Sequence, residues 1–205
     1  MFFGSKAPKI FQTLFPTLVW KNATNEKKVW LTFDDGPTPE ITPFVLDTLL
    51  FYNVKATFFC LGKQMVKHPE ILQRITAEGH SIGNHSYSHP NGFTTCTKKY
   101  LEDVKKCQQI IPETKLFRPP FGKIFPWQIA KLKKEYKIIM WDVLAWDFKK
   151  NTSKEKCFSN VVSNVENGSI IVLHDNENAY KNLQYALPKI IETLKERGFT
   201  FSATW

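Results

Sequence analysis

Two hydrophobic periods alternate from about residue 28 to the end of this 205-residue chain, and that alternation limits the fold more than any other feature. Short runs rich in β-branched and aromatic residues occur at 29–33, 56–61, 80–84, 116–117, 137–141, 169–173 and 199–203, and they read as strands. Stretches with apolar residues at helical spacing fill the intervals at 39–51, 69–78, 97–111, 126–136, 153–165 and 179–197. Pro69 suits a first helical turn, Ser153 an N-cap, and Gly79 and Gly198 helix ends. Strands separated by helices pair in parallel, because each connection is a crossover rather than a hairpin.

A barrel and a doubly wound sheet both satisfy that pattern, and the polar residues discriminate between them. Asp34-Asp35, His85, Arg118, Asp142 with Asp147, and His174 each follow the C-terminal end of a different strand. Barrels assemble their sites from many strand ends, whereas open sheets concentrate theirs at one switch point. The expectation is an α/β fold, an incomplete or distorted (β/α) barrel of about seven strands over residues 28–205. Residues 1–27 form an irregular lead-in, with Phe11, Leu14, Phe15, Leu18 and Val19 spaced to pack onto the barrel.

Composition removes several classes. No run of 18 apolar residues exists, so no helix is expected to cross a membrane. The net charge is +9, yet only three of the 28 basic residues are arginines and the lysines are scattered in short clusters. That reads as a solvated surface, with attraction to anionic polymers or an anionic membrane surface as the functional alternative. No nucleic-acid motif accompanies the charge, so no nucleic-acid partner is expected. The four cysteines form no CxxC pair, which excludes a dense disulfide framework and a four-cysteine zinc site. Lys6, Pro8, Lys9, Gln12 and Pro16 interrupt the apolar start, so it does not read as a secretory signal. That favours a cytoplasmic location, unless the chain is exported by an unrecognised route.

Five short segments carry chemistry. Asp34 and Asp35 are adjacent like charges, which need a cation between them or a proton on one of them. We read Asp35 as a metal ligand and Asp34 as a proton carrier. His85 and His89 lie one helical turn apart, and with one carboxylate they make a His₂Asp set with an open position, for which zinc is the default. Arg118 precedes two prolines, on stiff backbone from which a guanidinium could bridge two carboxylates. Residues 141–148 mix Trp141, Trp146 and Phe148 with Asp142 and Asp147, as a sugar-binding wall does. His174 directly follows an apolar strand, where it can serve as a general acid. Taken singly, each has an ordinary alternative: a solvated Asp-Gly turn, unrelated surface histidines, a surface salt bridge, core tryptophans, or a satisfied buried histidine.

In order and completeness, the segments resemble the polysaccharide deacetylases, the NodB-homology enzymes of carbohydrate esterase family four. The likeness rests on Thr32-Phe33-Asp34-Asp35-Gly36, His85-Ser86 with His89, Arg118 with Pro120-Phe121, the Asp-aromatic segment, and Leu173-His174-Asp175, and it spans residues 29–203. The resemblance implies that Asp34 is the catalytic base and that Asp35, His85 and His89 hold the metal, Zn²⁺, or Co²⁺ or another divalent ion. It also implies that Arg118 orients Asp34, that the Phe121 backbone N–H faces the oxyanion, and that His174 is the acid, tuned by Asp147. Trp146, Phe148 and Leu173 join Phe121 as expected substrate contacts. The implied reaction removes acetyl groups from an N-acetylated oligo- or polysaccharide such as chitin oligomers or peptidoglycan glycan. The alternatives are an O-acetyl esterase, a non-sugar amidase, or a non-catalytic carbohydrate-binding relative. Three positions depart from the pattern: Leu144 replaces an Asp, Phe148 a Trp, and Val172 a Leu.

Overall fold

In the computed structural model, which describes residues 4–205, the fold is built outward from β1 (Lys28–Asp34), buried at every position after Lys28. Residues 1–3 of the expected lead-in lie outside the described residues. A strand covered on both faces is what a parallel sheet with crossover helices demands. β2 (Thr57–Cys60) and β7 (Ile170–His174) flank β1 in parallel, with Asp34 in register with Phe59 on one side and His174 on the other. β3 (Ser81–Asn84), β4 (Leu116–Phe117) and β5 (Lys137–Ile138) extend the sheet beyond β2, and β6 (Val143–Leu144) extends it beyond β7. The order is β5-β4-β3-β2-β1-β7-β6, and β8 (Thr200–Phe201) pairs with the start of β1. The sheet curls into a half-barrel, the incomplete barrel expected from the alternation.

Strand parity divides the interior. Val29, Leu31 and Phe33 of β1, with Ile171 and Leu173 of β7, join the core under α2 (Ile41–Phe51) and α8 (Tyr180–Glu196). The alternate residues Trp30 and Ile170 pack inside the curl with Phe59 and Ile139. Thr32 and Asp34 share that concave face, because side chains two apart in a strand point the same way. A further core, including Tyr100, Val104, Ile129 and Leu132, packs α5 (Thr97–Gln108) and α6 (Pro126–Leu132) against β4 and β5.

The edge strands β5 and β6 do not pair with each other among the described residues. The segment before β1 fills that gap. Val19 bridges Ile139 in parallel, and Lys6 and Lys21 make antiparallel bridges to Val143 and Ser169. Lys6 Nζ also reaches the buried Asp142 carboxylate at 2.7 Å, and Ser169 Oγ donates to the same oxygen at 2.5 Å. Asp142 was expected near the site, but it anchors this lead-in instead. Three short elements were not anticipated: β6, α1 (Lys9–Leu14) and α3 (Gly62–Lys67). Each is too short to display a period. The remaining helices among the described residues are α4 (Pro69–Ala77), a 3₁₀ turn at Pro120–Gly122 and α7 (Lys154–Val162), the last N-capped by Ser153 Oγ accepting from Lys156 N–H.

Candidate active site

Asp34 ends β1 on the concave face, and strand alternation would send Asp35 the opposite way. A left-handed backbone at Asp35, φ 84°, breaks the alternation and lets both carboxylates line one cleft. Ser86, His89 and Phe121 also adopt positive φ, at 70°, 65° and 59°. Such conformations are costly for residues with a side chain, and they cluster where the surrounding structure fixes a functional geometry. The cleft has a volume of about 390 Å³, and Asp34, Asp35, His85, His89, Phe121 and His174 all line it.

Each of the two proton-transfer candidates has a buried partner. Arg118 is fully buried, and its Nη1 donates to Asp34 Oδ1 at 2.6 Å and to Thr32 Oγ1 at 2.7 Å. Nη2 and Nε donate to the carbonyls of Met140 and Ile139, at 3.0 and 3.4 Å, and the guanidinium lies over the Phe59 ring. It therefore reaches Asp34, as the resemblance implies, and does not bridge a second carboxylate. Burial pulls its pKa down against the opposing pull of Asp34. Across the register from Asp34, His174 Nδ1 lies 2.9 Å from Asp147 Oδ1, and the His174 backbone N–H donates to the other Asp147 oxygen at 2.6 Å. Burial alone would discharge the imidazole, but the Asp147 charge and hydrogen bond outweigh it and raise the pKa to about 9.

The third group is a donor set. Asp35 Oδ1 is buried without a hydrogen-bond partner, 3.2 Å from His89 Nε2 and 3.6 Å from His85 Nε2. His85 Nδ1 lies 2.8 Å from the Arg118 carbonyl, so Nδ1 carries the proton and Nε2 presents a lone pair. Burial, followed by the neighbouring His89, lowers the His85 pKa to about 3, and burial also lowers that of His89, so both rings are neutral ligand forms. A tetrahedral ion with bonds of 2.0–2.2 Å spaces its ligands roughly 3.4 Å apart. Both Asp35–histidine separations are close to that spacing, and all three donor atoms lie within 4.8 Å of one another, so they fit a divalent ion such as zinc.

Two expected substrate contacts lie elsewhere. Leu173 faces outward into the helix-covered core, one position out of phase with Val172 and His174, which line the cleft. Trp146 does not line the cleft; it packs behind Phe148, ring centroids 5.6 Å apart, and Phe148 meets the edge of His174 at 4.6 Å. Trp141 and Leu144 line the cavity instead. Sequence reasoning also missed Asn176, whose Nδ2 donates to Asp35 Oδ2 at 2.7 Å from 141 positions away. Its only signal is a polar residue just after Leu173-His174-Asp175. Asp175 itself is buried, accepts from Gly36 N–H and Thr42 Oγ1, and has its pKa pushed up to about 7 by burial.

Comparison with known proteins gives a consistent neighbourhood. The family model described as polysaccharide deacetylase matches residues 21–138. A Bacillus cereus peptidoglycan-N-acetylglucosamine deacetylase is 40% identical over 184 residues, covering 86% of this chain and 66% of the relative. A second protein of that name from Bacillus cereus is 36% identical, covering 90% of this chain and 89% of the relative. The crystal structure of the Bc1960 peptidoglycan N-acetylglucosamine deacetylase, in complex with 4-naphthalen-1-yl-N-oxidanyl-benzamide, superposes with a TM-score of 0.88 at 36% identity, covering 96% of this chain and 94% of that one.

Proposed function

The chain belongs to the polysaccharide deacetylase family, and from that membership we propose that it is a metal-dependent hydrolase removing acetyl groups from N-acetylated sugars of a glycan. Relatives named for N-acetylglucosamine or N-acetylmuramic acid of peptidoglycan support that glycan as the substrate, ahead of chitin oligomers. A charge of +9 supports attraction to an anionic wall polymer. The observation that carries the reading is a single cleft: Asp34 with its arginine and His174 with its carboxylate stand in register on adjacent strands and face the Asp35–His85–His89 donor set.

Asp35, His85 and His89 would hold Zn²⁺, or Co²⁺ or another divalent ion. Bound there, such an ion supplies Lewis acidity that activates water near neutral pH and polarises an acyl oxygen. Asp34 takes the proton of the attacking water, and Arg118 holds that carboxylate in place through its hydrogen bond. His174 donates its proton to the departing nitrogen as the C–N bond breaks, leaving acetate and a free sugar amine. Asp147 keeps His174 charged for that step. The Phe121 backbone N–H serves the developing oxyanion, a donor typically worth ~3 kcal/mol. Phe121, Phe148 and Trp141 supply apolar walls for the acetyl group and the sugar.

The test is acetate release from N-acetylglucosamine oligomers with zinc, after chelation and after zinc is restored. Asp34→Asn should bind zinc as the parent does and lose turnover. Near-parental turnover would remove Asp34 from the base role. A panel of O-acetyl esters and non-sugar amides separates the sugar N-deacetylase from an esterase or amidase on the same scaffold.

A further inference from the structure

The loop that presents both imidazoles is tied down by a residue outside every motif named above. His85 has two anchors of its own: its backbone N–H donates to the Cys60 carbonyl at 3.0 Å, and its Nδ1 meets the Arg118 carbonyl. His89 has no comparable anchor on its ring among the described residues. Its Nε2 faces Asp35, and its ring touches those of His85 and Phe121. The direction of His89 is therefore set by the backbone between the two histidines, which turns through left-handed conformations at Ser86 and at His89 itself.

Asp103, in the middle of α5, holds that backbone. Its Oδ1 accepts from Tyr87 N–H at 2.7 Å and Ser88 N–H at 3.0 Å, and its Oδ2 accepts from Ser88 Oγ at 2.6 Å. Ser86 adds a local closure, its Oγ accepting from His89 N–H at 3.1 Å, but this bond lies within the turn and cannot fix the turn to the scaffold. The Ser86 and Tyr87 carbonyls accept from Gly62 and Lys63 N–H of α3, at 2.9 and 3.0 Å, and Asp103 adds the connection from the turn's own N–H groups to a helix packed on the sheet. We propose that Asp103 is a positioning residue for the metal site, clamping the turn so that His89 Nε2 meets Asp35 and His85. The inference rests on the metal-site reading above. It assigns geometry to Asp103, not charge: an uncharged side chain with a carbonyl oxygen at the same place can accept both N–H groups.

The experiment measures zinc affinity by chelator competition, together with amide hydrogen exchange of the metal-free protein. Asp103→Ala should weaken zinc binding by roughly 10- to 100-fold, the usual effect of removing a group that supports a ligand. In the same variant the Tyr87 and Ser88 amides should exchange faster, while the β1 amides keep the parental rates. Asp103→Asn should stay close to the parent in both measurements. Parental zinc affinity in Asp103→Ala, or an equal loss in Asp103→Asn, overturns the proposal. If the parent itself binds no zinc, the metal reading falls first, and unchanged exchange at Tyr87 and Ser88 in Asp103→Ala would overturn the clamp as well.

Discussion

Replacing Asp147 by Asn tests the proton inventory of the site most directly. The carboxylate touches His174 twice, through Nδ1 and through the backbone N–H. Asn keeps an acceptor for the backbone and removes the charge. In the parent, Asp147 overcomes burial and lifts His174 from 6.5 to about 9. At 1.36 kcal/mol per pH unit, that rise favours the protonated ring by ~3 kcal/mol. Without that charge and hydrogen bond, only the more distant Asp35 and Asp34 oppose burial, and the pKa falls from about 9. The descending limb of kcat against pH should move down accordingly, with about tenfold lower turnover above that limb for each pH unit of displacement. A divalent ion nearby lowers the limb in both proteins, so the separation between them is the quantity to read.

The same shift predicts stability. The folded pKa is raised, so the benefit is complete below 6.5 and is lost as pH rises towards about 9. Urea unfolding of the parent should therefore lose ~3 kcal/mol across that window, and the variant should lose less. If Asp147→Asn leaves the descending limb where the parent has it, Asp147 does not act through the His174 proton.

Two further measurements probe the scaffold. His80 is buried, with Nδ1 accepting from Ala56 N–H at 3.2 Å, and burial lowers its pKa to about 4, so the parent should lose ~3 kcal/mol of stability as pH falls from 6.5 to 4. The difference between the parent and His80→Gln in urea titrations over that range isolates the contribution, and parallel curves would refute it. Leu173→Ala should cost about 2–5 kcal/mol by leaving a cavity in the helix-covered core. Its turnover per folded molecule should stay parental; a raised KM at intact stability would return Leu173 to the cleft.

Much of the architecture was legible in the sequence because the cues are local. A parallel sheet follows from period-2 runs separated by helical runs, and residues placed after several strand ends argue for a barrel. The acid pair, the His85–His89 spacing and His174 after its strand are equally local. Short elements escaped because a two-residue strand such as β6, or a six-residue helix such as α1 or α3, shows no period.

By itself, the sequence determined the parallel barrel class and the chemical inventory, since hydrophobic period and residue type are properties of neighbouring positions. The tertiary structure alone decided which groups meet. It set Asn176 on Asp35 across 141 positions and Asp103 beneath the Tyr87–Ser88 amides. It also decided that Val172 faces the cleft and Leu173 the core, and that the chain before β1 fills the open side of the barrel. Those outcomes depend on the curl of the sheet, the parity of each strand's register and single left-handed residues such as Asp35. A one-residue slip in a strand exchanges its two faces, and no local pattern records the long-range pairing that prevents it.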